Sequence, residues 1–294
     1  MMHRMPATSA IEPVSDGTRL FVRDWRPPSA PRALLLVLHG VAEHGGRYAA
    51  FAERLVDAGI AVRVFDHRGH GRSDGPRGHV EDWSRYLVDA VELGADLRAE
   101  LPGTPCFVYG QSMGSLLALE LAIRRPVAGT RADIGPVAGW MVSAVGIRPH
   151  GLATPGKVAA ARLLSRLLPR LRIDLGITEE SLSRDPSVGR AYREDPLVFR
   201  RATVRWGAEG LRAIERVKDG ARRIREPLLI QHGEDDPISD PGGARWLAGV
   251  VAGPVELHVY PGVRHEPHHD ADGCDPIGDL IGWVGARTGG RARV

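Results

Sequence analysis

Residues 110–114 read Gly-Gln-Ser-Met-Gly, a G-x-S-x-G pattern with Ser112 at its centre. The apolar stretch 106–109 precedes this pattern and the apolar stretch 115–119 follows it, so Ser112 is predicted to lie on a turn between a strand and a helix. Such a turn exposes the hydroxyl, and its two glycines leave room where a Cβ would clash. The helix N-terminus would favour negative charge beside the hydroxyl. The pattern therefore predicts nucleophilic catalysis by Ser112.

A serine hydroxyl is a weak nucleophile, so a histidine base and an orienting carboxylate are needed as well. Both residue types follow late apolar stretches of the chain, in the segments 232–238 (HGEDDPI) and 261–266 (PGVRHE). His265 is the predicted base. Asp236 is the predicted acid because of its Gly-x-x-Asp-x-Ile spacing, and the adjacent Asp235 is the competing choice.

Backbone N–H groups that hold the oxyanion would complete this chemistry. Residues 39–41 (His-Gly-Val) follow the apolar stretch Ala33–Leu38, where the loop after the third strand is expected to donate one N–H. The second N–H is expected from the residue after the nucleophile. Val41 and Met113 are therefore the predicted donors, and removing one such donor generally costs ~2.7–4 kcal/mol of transition-state stabilisation.

Two further patterns suggest other chemistry. Residues 265–269 (HEPHH) match H-E-x-x-H, a zinc-protease pattern that works only on a continuous helix. The internal Pro267 and the preceding Pro-Gly pair argue against such a helix, so no metal site is predicted. The glycine-rich segment 66–75 lacks the spacing of a phosphate-binding loop and is predicted to be a tight loop near the site entrance. No cofactor is predicted.

Composition excludes several other classes of protein. The net charge is +3, and the only lysines are Lys157 and Lys218, but acidic residues are interleaved with the arginines, which argues against a nucleic-acid partner. Cys106 and Cys274 have no disulfide or metal spacing and are predicted to be free thiols. Residues 1–10 lack the apolar segment of a secretory signal, and the longest apolar stretches are too short to cross a bilayer. We therefore predict a soluble, cytoplasmic protein.

Short stretches rich in Val, Leu and Ile alternate with helix-like segments, which is typical of a mostly parallel sheet covered by helices on both faces. An Asp-Gly turn at residues 15–18 predicts an N-terminal hairpin. The tail 289–294 is predicted to be frayed. The predicted strands are 11–14, 19–25, 33–38, 60–65, 105–109, 137–143, 227–231 and 255–260, and the predicted helices are 47–58, 83–101, 113–124, 241–251 and 275–288.

Residues 146–225 interrupt this alternation, because they show helical patterns but no convincing strand. An insertion of this length is too long for a plain loop, so it predicts a helical cap on a sheet domain made of residues 1–145 and 226–294. Pro169 is expected to kink or end one cap helix. That helix is predicted to cover the sheet domain, or alternatively to meet a membrane, through its leucine face: Leu163, Leu164, Leu167, Leu168 and Leu171, with Arg162, Arg166 and Arg170 on another face.

Several motifs resemble those of the α/β-hydrolase superfamily and, within it, the monoacylglycerol lipases. The resemblance covers about residues 20–288, and its motifs are 39–48 (HGVAEHGGRY), 66–75 (DHRGHGRSDG), the Ser112 turn, 260–266 (YPGVRHE), and the lid-like segments 183–186 and 192–196. It implies an α/β-hydrolase fold, with a mostly parallel eight-stranded sheet, flanking helices and a helical cap inserted before the last two strands.

The resemblance also implies a function. The expected reaction is hydrolysis of a monoacylglycerol to glycerol and a free fatty acid by a Ser-His-Asp mechanism without a cofactor. Glu43, and Tyr192 from the cap, are expected to bind the glycerol head group, although cap packing is an equally open role for Tyr192. The family usually has a histidine before the nucleophile, whereas this chain has Gln111. The expected partners are a small lipid and, transiently, a membrane or lipid-droplet surface.

Other functions fit the same residues. A lysophospholipase or a broad carboxylesterase needs the same three catalytic groups, and a peptidase of the same superfamily would cleave N-terminal amino acids instead. A non-catalytic binding protein would have no need of Ser112, Asp236 and His265 together. An epoxide hydrolase or dehalogenase is disfavoured because those chemistries use a carboxylate nucleophile.

Overall fold

The computed structural model describes residues 7–125, 127–130, 132–150, 155–270 and 273–289. The predicted frayed tail lies almost entirely outside these residues. The strands, in chain order, are β1 Thr8–Pro13, β2 Arg19–Trp25, β3 Ala33–Leu38, β4 Ile60–Phe65, β5 Cys106–Gln111, β6 Gly139–Ser143, β7 Arg172–Asp174, β8 Arg201–Thr203, β9 Leu228–Gly233 and β10 Val255–Tyr260. The helices are α1 Ala49–Asp57, α2 Ser84–Glu100, α3 Met113–Ile123, α4 Pro155–Leu167, α5 Glu179–Leu182, α6 Pro186–Glu194, α7 Val204–Gly220, α8 Gly242–Val250 and α9 Pro276–Arg287.

Eight of these strands form one sheet in the order β1-β2-β4-β3-β5-β6-β9-β10. The pairs β1–β2 and β2–β4 are antiparallel and the remaining pairs are parallel. The predicted α/β-hydrolase fold with its mostly parallel eight-stranded sheet is therefore confirmed. The bounds of the parallel strands differ from the predicted ones by at most two residues, because each strand is rich in apolar residues and the central ones are nearly continuous apolar runs.

Strand β3 shows how the core forms on both faces of the sheet. All of its residues are buried, and successive side chains point to opposite faces. Leu36 and Leu38 pack in the cluster that contains residues of α2 and α3, whereas Leu35 and Val37 pack in the cluster that contains residues of α1 and α9. These two layers hold the strand ends, where the candidate catalytic residues lie, in fixed positions.

The segment between β6 and β9 contains α4 to α7, so the inserted helices precede the last two strands as predicted. The expectation of no strand there is wrong: β7 and β8 pair in a two-stranded antiparallel sheet. Each of these strands has only three residues, which is too short for a recognisable alternating pattern. The limits 146–225 for a separately defined cap stay a prediction, and "cap" below means residues 155–225.

The leucine face of the cap differs from its prediction. Helix α4 ends at Leu167, two residues before Pro169, in agreement with the expected break. The same leucines do not cover the sheet domain. They are exposed, with Leu163 58% and Leu167 67% accessible, together with Leu164, Leu168 and Leu171. The helical spacing correctly predicted one apolar face, but spacing alone does not say which side of the helix faces the protein.

Two remaining expectations concern thiols and membrane spans. Cys106 is buried and Cys274 is half-buried, and both are free thiols. Burial raises the pKa of the Cys106 thiol to about 11, so this thiol is neutral near pH 7. Within the described ranges, every helix is too short or too polar to cross a bilayer.

Candidate active site

Ser112 lies on the turn between β5 and α3, with a φ of 53° that non-glycine residues rarely adopt. Such a conformation costs of order 1–3 kcal/mol and persists only where the surroundings impose it. Here the surroundings do so tightly. A Cβ on Gly110 would overlap the carbonyl oxygen of Gly114, and one on Gly114 would overlap that of Leu38. Both glycines of the pattern are thus required by the close approach of strand, turn and helix.

The structure brings Ser112, His265 and Asp236 together in one hydrogen-bonded chain. The Nε2 atom of His265 lies 2.9 Å from Ser112 Oγ, and its Nδ1 lies 2.8 Å from Asp236 Oδ2. Asp236 Oδ1 accepts from the N–H groups of Ile238 and Ser239 at 2.8 and 3.0 Å. Asp235, the competing acid, is exposed, and its N–H donates to the loop at Val263. The geometry therefore places Asp236, and not Asp235, at the imidazole.

His232 is a further member of this chain that the sequence analysis missed. Its Nδ1 accepts from the Val145 N–H at 3.1 Å, so the proton must lie on Nε2. That Nε2 is 3.1 Å from Asp236 Oδ2 and 3.0 Å from Ser239 O. His232 therefore donates toward the carboxylate that holds His265. The signal that the sequence offered for this residue was a histidine directly after the apolar stretch 227–231.

The charges of this chain follow from its contacts. Burial would raise the pKa of Asp236, but the charge of His265 and the hydrogen bond from His232 outweigh it, so the pKa is lowered. Burial would lower the pKa of His265, but the Asp236 carboxylate outweighs it and the pKa is raised above 6.5. Asp236 is thus ionised near pH 7, and His265 is a stronger base than a free imidazole.

Hydrogen bonds of His39 hold the loop after β3 beside Ser112. His39 Nδ1 lies 2.7 Å from Gly40 O, and His39 Nε2 accepts from the His67 N–H at 3.0 Å, which places the proton on Nδ1. Val41 and Met113, the predicted oxyanion donors, both line the cavity that Ser112 opens into. Met113 is the first residue of α3, so its N–H has no acceptor within the helix.

Glu43 lies behind this loop and has several partners. Its Oε1 accepts from the Gly40 N–H at 2.5 Å and from the Tyr48 hydroxyl at 2.9 Å. Its Oε2 accepts from Arg47 at 2.8 Å. Glu43 is buried, so these bonds fix the loop that carries Val41. Its expected role toward a glycerol head group stays a prediction, and its contacts add a structural role.

Arg47 connects the oxyanion loop, the histidine loop and the cap. Its guanidinium donates to both oxygens of Glu266, at 2.5 and 2.7 Å, as well as to Glu43. Burial would lower the pKa of Arg47, but the two carboxylates outweigh the effect of burial, so the pKa of Arg47 is raised. The ring of Tyr192, from α6, lies over the guanidinium at 5.0 Å. The Glu266 N–H donates to Leu182 O of α5 at 2.8 Å, so the cap also touches the histidine loop directly.

Two cavities meet at Ser112. The larger, of about 160 Å³, is lined by apolar side chains and by α7. The smaller, of about 40 Å³, is lined by both apolar and polar side chains, and it contains the charged groups of Glu43, Arg47 and Glu266. Tyr192 lines the smaller one, and its buried hydroxyl has no hydrogen-bond partner among the described residues. The members of the smaller cavity are Gly40, Val41, Glu43, Arg47, Gln111, Ser112, Ile177, Leu182, Tyr192, Ile238, His265 and Glu266.

The H-E-x-x-H pattern does not form the helix that a zinc protease needs. A short 3₁₀ helix begins only at Pro267, after His265 and Glu266. Glu266, His268 and His269 do place one potential ligand atom each within 4.8 Å of one another. However, both oxygens of Glu266 already accept from Arg47, whose positive charge would oppose a bound cation.

Comparison with known proteins agrees with this geometry. Residues 29–272 match the family model described as "Serine aminopeptidase, S33". A monoacylglycerol lipase of Mycolicibacterium smegmatis is 32% identical over 91% of this chain and 93% of its own. The monoglyceride lipase of Homo sapiens is 34% identical over 93% of this chain and 89% of its own.

A solved structure extends the comparison to the fold. The monoacylglycerol lipase of Paleococcus ferrophilus is 29% identical, with a TM-score of 0.79, over 91% of this chain and 99% of that one. This chain is thus similar in both fold and sequence to proteins named as monoacylglycerol lipases. The chain belongs to the α/β-hydrolase family of serine hydrolases described by the S33 model, which includes the monoacylglycerol lipases.

Proposed function

We propose that this protein hydrolyses monoacylglycerols to glycerol and a free fatty acid. The observation that carries the proposal is the position of Ser112 between two cavities, a larger one lined almost entirely by apolar groups and a smaller one that also contains Glu43, Arg47 and Glu266. An ester whose carbonyl reaches Ser112 would place its acyl chain in the larger cavity and its alcohol in the smaller. The relatives named above carry this activity in their names, which supports the same assignment.

In the proposed mechanism Ser112 attacks the ester carbonyl while His265 Nε2 takes its proton. Asp236 orients the imidazole and stabilises its positive charge. The N–H groups of Val41 and Met113 hold the oxyanion. His265 then protonates the leaving glycerol oxygen, and the same imidazole activates the water that releases the fatty acid.

The larger cavity is suited to an acyl chain. Helix α7 forms part of its wall through residues that lie on a single face, and Met113 and Leu116 of α3 line it as well. Two positions of that face, Gly207 and Gly210, have no side chain, and a Cβ on Gly207 would meet nothing within 4 Å. A glycine inside a helix costs ~1 kcal/mol relative to alanine. Open space for a substrate gives a reason for it here.

The smaller cavity favours a neutral alcohol over a phosphate. Arg47 is the cation of this cavity, and Glu43 and Glu266 already surround it with two carboxylates. A lysophospholipid would bring further negative charge beside these two groups, which is unfavourable in a buried site. Glycerol carries no charge and needs only hydrogen bonds. A monoacylglycerol is therefore the better substrate than a lysophospholipid.

We further propose that the cap contacts a lipid surface. Leu163, Leu167 and Leu168 are all more than half exposed, and Arg166 and Arg170 of the same segment are exposed as well. Apolar side chains combined with cations suit the interface of an anionic bilayer. Such contact would bring a monoacylglycerol from the membrane toward the larger cavity.

A labelling and turnover experiment tests the proposal. A fluorophosphonate is expected to label Ser112 in the wild type but not in Ser112→Ala, and the variant is expected to lose activity by about 10⁴-fold or more, as for other triad serines. Wild-type turnover is then compared on a monoacylglycerol, a lysophosphatidylcholine and an aminoacyl anilide. A folded wild type that is not labelled would refute the proposal that the protein is a serine hydrolase. Faster turnover of the phospholipid or the anilide would refute the proposal that monoacylglycerol is its substrate.

A further inference from the structure

Gln111 lies immediately before the nucleophile and is buried. Its side-chain Nε2–H donates to the carbonyl oxygen of His265 at 3.1 Å. This contact fixes which way the amide points, because the flipped amide would set two oxygens against each other. Oε1 must therefore point away from His265.

The other end of the amide points toward the oxyanion loop. A Cβ placed on Gly40 would lie only 2.6 Å from Gln111 Oε1, so this oxygen sits directly against Gly40. Gln111 also lines the smaller cavity beside Ser112. Its Oε1 receives no hydrogen bond from any residue that the structure describes, and it is not sealed from the cavity.

The carboxylate acceptors of that cavity are already engaged. Glu43 accepts from the Gly40 N–H, Tyr48 and Arg47, and Glu266 accepts from Arg47 through both oxygens. A hydroxyl group that enters the cavity is a donor and needs an acceptor when it loses water. The Tyr192 hydroxyl is also unpaired, but it is fully buried, so Gln111 Oε1 is the side-chain oxygen best placed to supply one.

We propose that Gln111 is a specificity-determining residue, whose Oε1 accepts a hydrogen bond from a hydroxyl of the alcohol part of the ester. The inference rests on the proposed function and deepens it. It assigns the preference for polyol esters over simple alkyl esters to this one amide, oriented by the main chain of His265.

A glutamine at this position also differs chemically from the histidine that the family usually has there. An imidazole could donate to His265 O and accept with its second nitrogen, but only while it is neutral. Once protonated, both nitrogens are donors and the acceptor is lost. A glutamine side chain does not titrate, so its acceptor is present at every pH at which the protein is folded.

The test compares two esters of the same fatty acid, a monoacylglycerol and a methyl ester. Both form the same acyl-enzyme, so the ratio of their kcat/KM values reports only on the alcohol part. Gln111→Met keeps the length of the side chain and removes both hydrogen bonds. We expect the ratio of monoacylglycerol to methyl ester to fall about tenfold, which is typical for the loss of one substrate hydrogen bond. An equal loss on both esters would mean that Gln111 only positions the loops, and would overturn the proposal.

A second variant and a control keep the test decisive. Gln111→His should retain the ratio when the imidazole is neutral and lose it as the pH falls. Gln231 is a matched control, because it too is buried near the end of a strand, where it donates to Tyr260 Oη and Pro276 O at 2.7 Å each. Gln231→Met should lower Tm but leave the ratio unchanged. A wild type that cleaves neither ester would refute the proposed function itself, whereas turnover of both esters with an unaltered ratio in the Gln111 variants would refute only this inference.

Discussion

The sheet domain and the cap present their polar and apolar groups in opposite ways. In the sheet domain, the carboxylate of Asp236 is buried and accepts from two backbone N–H groups as well as His265. Glu43 and Arg47 are likewise buried and fully engaged. In the cap, the leucines of α4 and the residues that follow it are exposed, and Tyr192 has an unpaired hydroxyl.

This difference separates two tasks. Bond breaking requires a few atoms at fixed distances, so each of them is held by several hydrogen bonds from rigid elements. Substrate selection requires apolar area and open space, which the cap supplies through α7 and α4. Changes to the catalytic triad in the sheet domain should therefore affect every ester alike, whereas changes in the cap, and at Gln111 beside the nucleophile, should alter which ester is used. Changes on the exposed face of α4 should alter how well the protein binds lipid.

The largest expected effect concerns the acid of the triad. Asp236→Asn should lower kcat by about 10⁴-fold on all esters, because it favours the wrong tautomer of His265. Asp235→Asn is the matched control, since that neighbouring side chain is exposed, and should leave kcat nearly unchanged. Steady-state kinetics of both variants measure the effect. The reverse order of the two losses would contradict the assignment of Asp236.

The pH dependence of the same pair gives a second readout. His265 acts as a base only when it is neutral, so kcat/KM should rise with pH. The midpoint of that rise should lie above 6.5, the ordinary pKa of an imidazole, because the Asp236 carboxylate raises the pKa of His265. Removing that charge in Asp236→Asn should move the midpoint to lower pH in the residual activity. A midpoint that does not move would show that Asp236 does not set the charge of His265.

A smaller effect is expected in the wall of the larger cavity. Gly207→Leu should fill part of it, because the position faces open space. The kcat/KM for a dodecanoyl ester should fall about tenfold relative to a butanoyl ester, in line with the discrimination that hydrophobic pockets achieve. Gly249→Leu, at an exposed helix position with equally open space, is the control and should leave the chain-length profile unaltered. An equal loss on both esters would show that this position of the cap does not select between acyl chains of different length.

The smallest effect is expected at the lipid surface. Replacing Leu163 and Leu167 by serine should weaken binding to vesicles of an anionic phospholipid about fivefold, because part of the apolar contact is lost. Ile11→Ser is the control, since Ile11 is 58% exposed, like Leu163, but lies on β1. Vesicle co-sedimentation measures the change. If Ile11→Ser weakened vesicle binding equally, the proposal that the cap leucines contact the lipid surface would be contradicted.

Much of this arrangement follows from the sequence by itself. Apolar stretches predicted every parallel strand, and in central strands such as β3 they are continuous, because a strand buried on both faces can contain little else. The two glycines around Ser112 predicted the sharp turn, since no Cβ fits there. The order of Ser112, the late acids and His265 predicted a triad. The strands and the turn are short-range requirements, written in neighbouring residues, whereas the triad was expected from the order of motifs far apart in the chain.

Tertiary structure decided what depends on distant segments meeting. It chose Asp236 over Asp235, because only one of two adjacent side chains can point inward from the loop after β9. It set His232 behind that carboxylate and turned the cap leucines outward. A helical pattern specifies that one face is apolar but not what it touches. That choice is made by packing between elements far apart in the chain, which no local pattern contains.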